Sequence, residues 1–166
     1  MPFTPFHWGP TSCIGLLLFR IFDFPTLLLA NVVIDCEPLC VLIIRVYNPG
    51  VSYPTHGIFH SFVGSSFLAV LTAIALFFLR NKIRKIMTIF ELQQDSSFEK
   101  VLWSSFFGFY FHVMLDSLIY TDIKPFYPFE INPFYGWVSV SQMYLFCSVS
   151  FLIAALFYLV RLYWKG

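Results

Sequence analysis

Charge is scarce in this chain. Asp, Glu, Lys and Arg make up only 11% of its 166 residues, against about 25% in a soluble domain. So few charges cannot cover a water-facing surface. With 58% hydrophobic residues and a mean hydropathy of +0.76, the sequence is that of an integral membrane protein. A net charge of +1 provides no basic field, so no nucleic-acid partner is expected. The cysteines, Cys13, Cys36, Cys40 and Cys147, include no CxxC pair that could form a zinc knuckle, and they read as small apolar residues. Residues 1–12 carry no Lys or Arg, and no A-x-A site follows them. No cleaved signal peptide is therefore expected, and the first apolar segment is retained. A GxSxG elbow and a Walker loop are both missing, which sets aside serine-hydrolase and P-loop chemistry.

What is present is apolar length. Gly57–Leu79 and Trp137–Val160 contain no Asp, Glu, Lys or Arg, and Val101–Tyr120 is interrupted only by His112 and Asp116. A bilayer crossing takes about 20 residues, and only a helix satisfies its own backbone there. Near the N-terminus, Thr11 and Ser12 suit the cap of a helix through Phe22, and Pro25 opens a second segment, Thr26–Cys36. Each is too short to cross alone, so a helical hairpin, or a pair of half-depth helices, is expected. Leu39–Tyr47 continues the apolar pattern, and Asn48-Pro49-Gly50 is a turn. The reading is one all-α domain over residues 1–166, a polytopic membrane bundle of about four to five helices.

Basic residues set the expected orientation. Arg80, Lys82, Arg84, Lys85 and Lys100 lie between the first two long spans, and Arg161 and Lys165 follow the third. The positive-inside rule assigns both regions to the cytoplasm of a multi-pass protein of the cell membrane. Ile83, Ile86, Met87 and Phe90 recur at helical spacing, as in an amphipathic helix on the inner surface. Segment 120–136 then faces outward. Its Pro125, Pro128 and Pro133 stand among Phe126, Tyr127, Phe129, Phe134 and Tyr135, rings suited to the headgroup layer.

The few polar groups concentrate on that side. His56 and His60 are four apart, as are His112 and Asp116, and such a spacing shares one helix face. The two spans run antiparallel, so the pairs converge at similar depth. Asp35 and Glu37 end the segment Thr26–Cys36, and a carboxylate in an apolar stretch usually has a partner or a function. His7 joins the same face if the hairpin opens outward. Small residues, Ser61, Ser65, Ala69 and Ala73 on one span and Ser104 and Gly108 on the next, let helices approach closely. Imidazole with carboxylate suits a divalent metal, most simply zinc. The expected ligands are His60, His112 and Asp116, then Asp35, with His7, His56 and Glu37 behind them. Asp35 is also the candidate catalytic base or water-orienting group. Asp122 and Glu130 read as loop acids, and Lys124 as a snorkelling or phosphate-binding cation.

The order of these motifs resembles the LexA-regulated, membrane-bound metal-dependent hydrolase family, formerly a domain of unknown function. That family is itself distantly similar to zinc-dependent phospholipase C. The residues that carry the likeness are His7 in Phe6-His7-Trp8-Gly9, the acidic patch Ile34-Asp35-Cys36-Glu37-Pro38, and Thr55-His56-Gly57-Ile58-Phe59-His60-Ser61. Phe111-His112-Val113-Met114-Leu115-Asp116-Ser117 and the loop from Thr121 to Pro128 follow. The acidic patch lacks the family's leading Pro and final His. The third motif spaces its histidines by four instead of five, so His60 transfers better than His56. Residues 131–166 contain no His, Asp or Glu, which argues against a third metal bound as in the phospholipases. The resemblance implies hydrolase activity, and the metal reading of the residues gives its expected form, hydrolysis of a phosphoester, lipid-like or extracytoplasmic, through metal-activated water. The other class is a non-enzymatic membrane protein, an ion-handling or structural subunit.

Overall fold

The computed structural model describes residues 4–50 and 52–165, and they are helical or irregular throughout. The helices are α1 (Trp8–Leu17), α2 (Phe24–Val33), α3 (Cys36–Tyr47), α4 (Phe62–Ile89), α5 (Phe98–Ser117) and α6 (Val140–Lys165). Short 3-10 turns, Thr4–His7 and Ile58–His60, lead into α1 and α4.

The N-terminal pair forms the expected hairpin, with shifted ends. α1 starts at Trp8 because Pro10 falls in the first turn, where the missing N–H has no intrahelical partner to lose. Thr11 is therefore inside the helix, buried, with its hydroxyl donating to the His7 carbonyl at 2.8 Å. α2 is capped by Asp23, whose carboxylate accepts from the Thr26 N–H at 3.1 Å and from the hydroxyls of Thr26 and Ser96. Gln94 ties the hairpin turn from outside. Its amide donates to the carbonyls of Phe19 (2.6 Å) and Phe22 (2.9 Å) and accepts from the Phe24 N–H at 2.8 Å. The Trp8 indole donates to the Leu28 carbonyl at 3.1 Å, and Gly15 faces Phe24 and Leu27, so the two helices run antiparallel.

Three stretches are long and apolar enough to cross a membrane: Phe24–Tyr47, Phe62–Ile89 and Val140–Trp164. This revises the span assignment. α2 and α3 are broken only at residues 34 and 35, and by length and composition the continuous stretch qualifies where each helix alone does not. α4 starts at Phe62 instead of Gly57 and runs without a break to Ile89, so the amphipathic stretch is its continuation. α5 is outside that set because its polar residues lower its mean hydropathy. Ser104, Ser105, His112, Asp116 and Ser117 are all buried.

α5 is the axis of the bundle, with α4 on one side and α2 on the other, while α1 packs on α6. Ala30, Ile34, Ala69, Phe109 and Val113 form the central apolar cluster where α2, α4 and α5 meet. The small-residue faces make these contacts tight. Ser65, Ala69 and Ala73 are buried, and the Ser105 hydroxyl donates to the Ala69 carbonyl at 2.9 Å. A Cβ at Gly108 would stand 2.7 Å from that of Ala30, so the α2–α5 crossing requires glycine there. The outer faces of α4 and α6 carry exposed Val63, Phe67, Leu71 and Phe78, and Leu145, Leu152, Leu156 and Leu159. Continuous apolar surface on this scale exceeds that of a water-soluble monomer and fits lipid. The protein is thus a helical membrane bundle. α2 and α5 end, and α1, α4 and α6 begin, on the same side.

Candidate metal centre

Short pieces of chain from four places meet at that end. His7 closes the 3-10 turn before α1, and Asp35 lies in the break between α2 and α3. His60 closes the 3-10 turn before α4, and His112 and Asp116 sit one turn apart on the buried face of α5. His112 Nε2 stands 3.2 Å from Asp116 Oδ2 and 3.5 Å from Asp35 Oδ1. His60 Nε2 stands 3.8 Å from the same Asp35 oxygen. One donor atom each from Asp35, His60, His112 and Asp116 lies within 4.8 Å of the other three. Around a tetrahedral zinc with bonds of about 2.0–2.2 Å, neighbouring ligand atoms are about 3.4 Å apart. The three edges measured here bracket that spacing.

Burial sharpens the fit. His60 and His112 are fully buried, and Asp116 is 3% exposed. Nε2 of His60, both ring nitrogens of His112, both of His7 and Oδ1 of Asp116 are enclosed without a hydrogen-bond partner among the described residues. Each such atom costs about 1–3 kcal/mol when left unsatisfied. Enclosed imidazole nitrogens beside carboxylate oxygens make a donor set that suits a divalent transition ion. His7 belongs to the same group of rings. Its Nε2 lies 3.2 Å from Asp116 Oδ1, and its ring meets His112 edge-on, with centroids 4.5 Å apart.

Glu37 and His56 sit one layer out. Glu37 Oε2 is 2.8 Å from His60 Nδ1, and its other oxygen accepts from the Phe59 N–H at 3.2 Å. An ionised carboxylate only accepts, so the Nδ1 of His60 carries the proton, and the lone pair of Nε2 points toward Asp35 and His112. Glu37 thus supports a ligand position. His56 is held by Asp122, with Nδ1 3.0 Å from both carboxylate oxygens and the backbone N–H donating at 3.2 Å. Burial pushes the Asp122 carboxyl up, but the His56 contacts outweigh it and hold it below the usual carboxylate range. The His56 ring packs on His60 (4.8 Å) and on Tyr120 (4.6 Å). All four histidines of the chain therefore form one contiguous group.

No family model matches the chain, and no curated protein or solved structure does either.

The route by which His56 and His60 reach the site differs from the sequence expectation. They do not share a helix face. Ser61 is extended and caps α4, its hydroxyl oxygen accepting from the Gly64 N–H at 3.1 Å, so the helix begins only after both histidines. The turn carrying His60 folds back over the first turn of α4. There the Ile58 carbonyl oxygen would lie 2.0 Å from a Cβ at Gly64. The Phe62 N–H donates to the Pro125 carbonyl at 2.9 Å, which ties this turn to the aromatic loop. Asp122 is the partner that sequence reading places first as a loop acid. It lies 66 residues from His56, and nothing local in the sequence marks the pair. Lys124 pairs with Glu130 at 2.8 Å, which holds the exposed Glu130 carboxyl below its ordinary range.

The supporting role of Glu37 has a measurable consequence. Glu37→Ala should weaken divalent-ion retention about 10–100-fold, as loss of a partner behind a metal-ligating His does. Chelator competition on the folded protein measures it. Retention equal to that of the parent protein would remove the role.

Proposed function

We propose that this protein is a membrane-bound metal-dependent hydrolase that cleaves a phosphoester, lipid-like or extracytoplasmic. One observation carries the reading. Four ligand-type side chains from three separate parts of the chain, three of them buried, bring donor atoms within 4.8 Å of one another. The motif order that resembles the LexA-regulated hydrolase family supports the same reading. Asp35, His60, His112 and Asp116 would hold the ion, most simply zinc, with His7 beside Asp116.

A divalent ion bound there would polarise a phosphoryl oxygen and make water a nucleophile near neutral pH. The chain's own groups divide the remaining work. Glu37 holds the proton on Nδ1 of His60 and so orients that ring. His112 and Asp116 lie one turn apart on a rigid helix, so their spacing is set by the backbone. Asp35 has the most accessible side chain of the four, at 20%, which puts its carboxylate where water and substrate enter. It orients the attacking water or accepts its proton. The neighbouring loop exposes Phe129, Tyr135 and Trp137, and such rings favour the headgroup layer. The basic residues at the far end of α4 support an extracytoplasmic position for the site in the cytoplasmic membrane.

The test is hydrolysis by the purified protein of phosphomonoester, phosphodiester and phospholipid panels, with and without chelator. Turnover should stop with chelator and return with zinc. Asp35→Asn should lower it about 10²–10⁴-fold. Turnover indifferent to chelator overturns the metal mechanism. Bound metal without turnover on any panel member leaves a metal-holding subunit, the non-enzymatic alternative.

A further inference from the structure

A cleft of about 310 Å³ lies at the other end of α4, where Arg80 and Arg84 stand one turn apart with Asn81 between them. Leu76, Met87 and Val101 supply apolar wall. The floor is closed by polar groups that already have partners. Asp23 is taken up by Thr26 and Ser96, the Gln94 amide is used by the hairpin turn, and the Ser97 hydroxyl oxygen caps α5 by accepting from the Lys100 N–H at 3.2 Å. The two guanidinium groups are engaged only at the surface. Arg80 lies over the Phe77 ring (4.1 Å) and donates to the Phe77 carbonyl at 2.8 Å. Arg84 contacts Asp95 at 2.6 Å, with the two side chains 55% and 85% exposed.

We propose that this cleft binds the phosphate headgroup of an anionic phospholipid in the leaflet at the C-terminal end of α4. Three features converge on that ligand. Guanidinium is the side chain best shaped for phosphate, and a phosphate replaces the exposed Asp95 carboxylate with little to lose, because such pairs are weak in water. The N-terminus of α5, a helix of 20 residues, opens at the cleft through Ser97 and Val101 and adds favourable potential for an anion. The depth also fits. Eighteen residues of helix separate Phe62 from Arg80, about 27 Å at 1.5 Å rise, close to the roughly 30 Å thickness of a bilayer's hydrocarbon core. The arginines therefore reach headgroup level, while exposed Phe78 and Leu79 lie beside the acyl region. The proposal is independent of the metal centre at the opposite end.

Native mass spectrometry of the whole protein, after equilibration in micelles with phosphatidylglycerol or phosphatidylcholine, reads the occupancy. Phosphatidylglycerol should be retained preferentially. Arg80→Gln and Arg84→Gln should each weaken retention about fivefold, and the double variant roughly twentyfold. Lys82→Gln removes the same charge from a residue outside the cleft lining and should leave retention unchanged. Asp95→Asn frees Arg84 and should strengthen binding, which decides the matter if the double arginine variant fails to fold. Equal retention of phosphatidylcholine, equal loss with Lys82→Gln, or no gain with Asp95→Asn overturns the proposal. Displacement of the lipid by millimolar inorganic phosphate as effectively as by phosphatidylglycerol overturns the lipid as occupant.

Discussion

Purified protein should carry at least one tightly held divalent ion per chain, and His112→Ala should lose it. His112 is the hub of the cluster. It is fully buried, and its Nε2 faces both Asp116 and Asp35 at 3.2 and 3.5 Å. Removing the imidazole takes a ligand from the middle of the set. Asp116→Ala should behave alike, because its carboxylate bridges the His7 and His112 sides of the group. We expect metal content to fall below a tenth of an ion per chain in either variant, about a hundredfold or more in affinity, the upper end of what losing even an outer partner costs. Elemental analysis after chelator-free purification measures it. Helix content by circular dichroism distinguishes loss of metal from loss of fold. An intact parent protein without metal would falsify the hydrolase reading. What would then remain is a buried contact of His112 with Asp116 at 3.2 Å.

Gly9→Ala should lower the melting temperature by about 3–10 °C, from an overpacking cost of about 1–3 kcal/mol. Gly9 lies where α1 crosses α6. A Cβ there would stand 2.3 Å from the Cys147 carbonyl oxygen and 2.8 Å from the Phe151 ring. The first of these is backbone and cannot rotate away. The helices must separate, and His7 lies two residues before Gly9 in the turn that leads into α1. The 3.2 Å contact of His7 with Asp116 should therefore lengthen, and metal retention should weaken together with stability. Thermal unfolding in detergent, followed by intrinsic fluorescence, measures the first effect, and chelator competition the second. A melting temperature unchanged by Gly9→Ala would mean that the α1–α6 crossing has slack that the packing here denies.

Much of this was legible in the residues alone, and the failures were local. The membrane class follows from composition, because 11% charge cannot solvate a surface. The inward face of α5 was marked by Ser104, Gly108, His112 and Asp116 at helical spacing, and all four contact or approach neighbours inside the bundle. Helix ends were less legible. Thr11 and Ser12 resembled caps but lie inside α1, since the choice of start depended on Pro10 and on tertiary cover for Thr11. The spacing of His56 and His60 suits one helix face. The cap at Ser61 and the anchor of Phe62 on Pro125 keep them in a turn instead. Asp35 ranks ahead of Glu37 and Asp122 from the sequence, but that Glu37 backs His60 and Asp122 holds His56 was not legible there, because ligand and supporting carboxylate are chemically alike and differ only by position.

The residues by themselves determined the solvent, the helical class and the stock of possible ligands. Hydropathy and charge are sums over the chain and need no coordinates. Which histidine faces which acid was decided only by tertiary structure. His7, Asp35, His60 and His112 are separated by tens of residues, and their distances depend on helix register and crossing angle. Those are set by small residues such as Gly9 and Gly108 meeting a neighbouring helix, a steric fit to which both partners contribute.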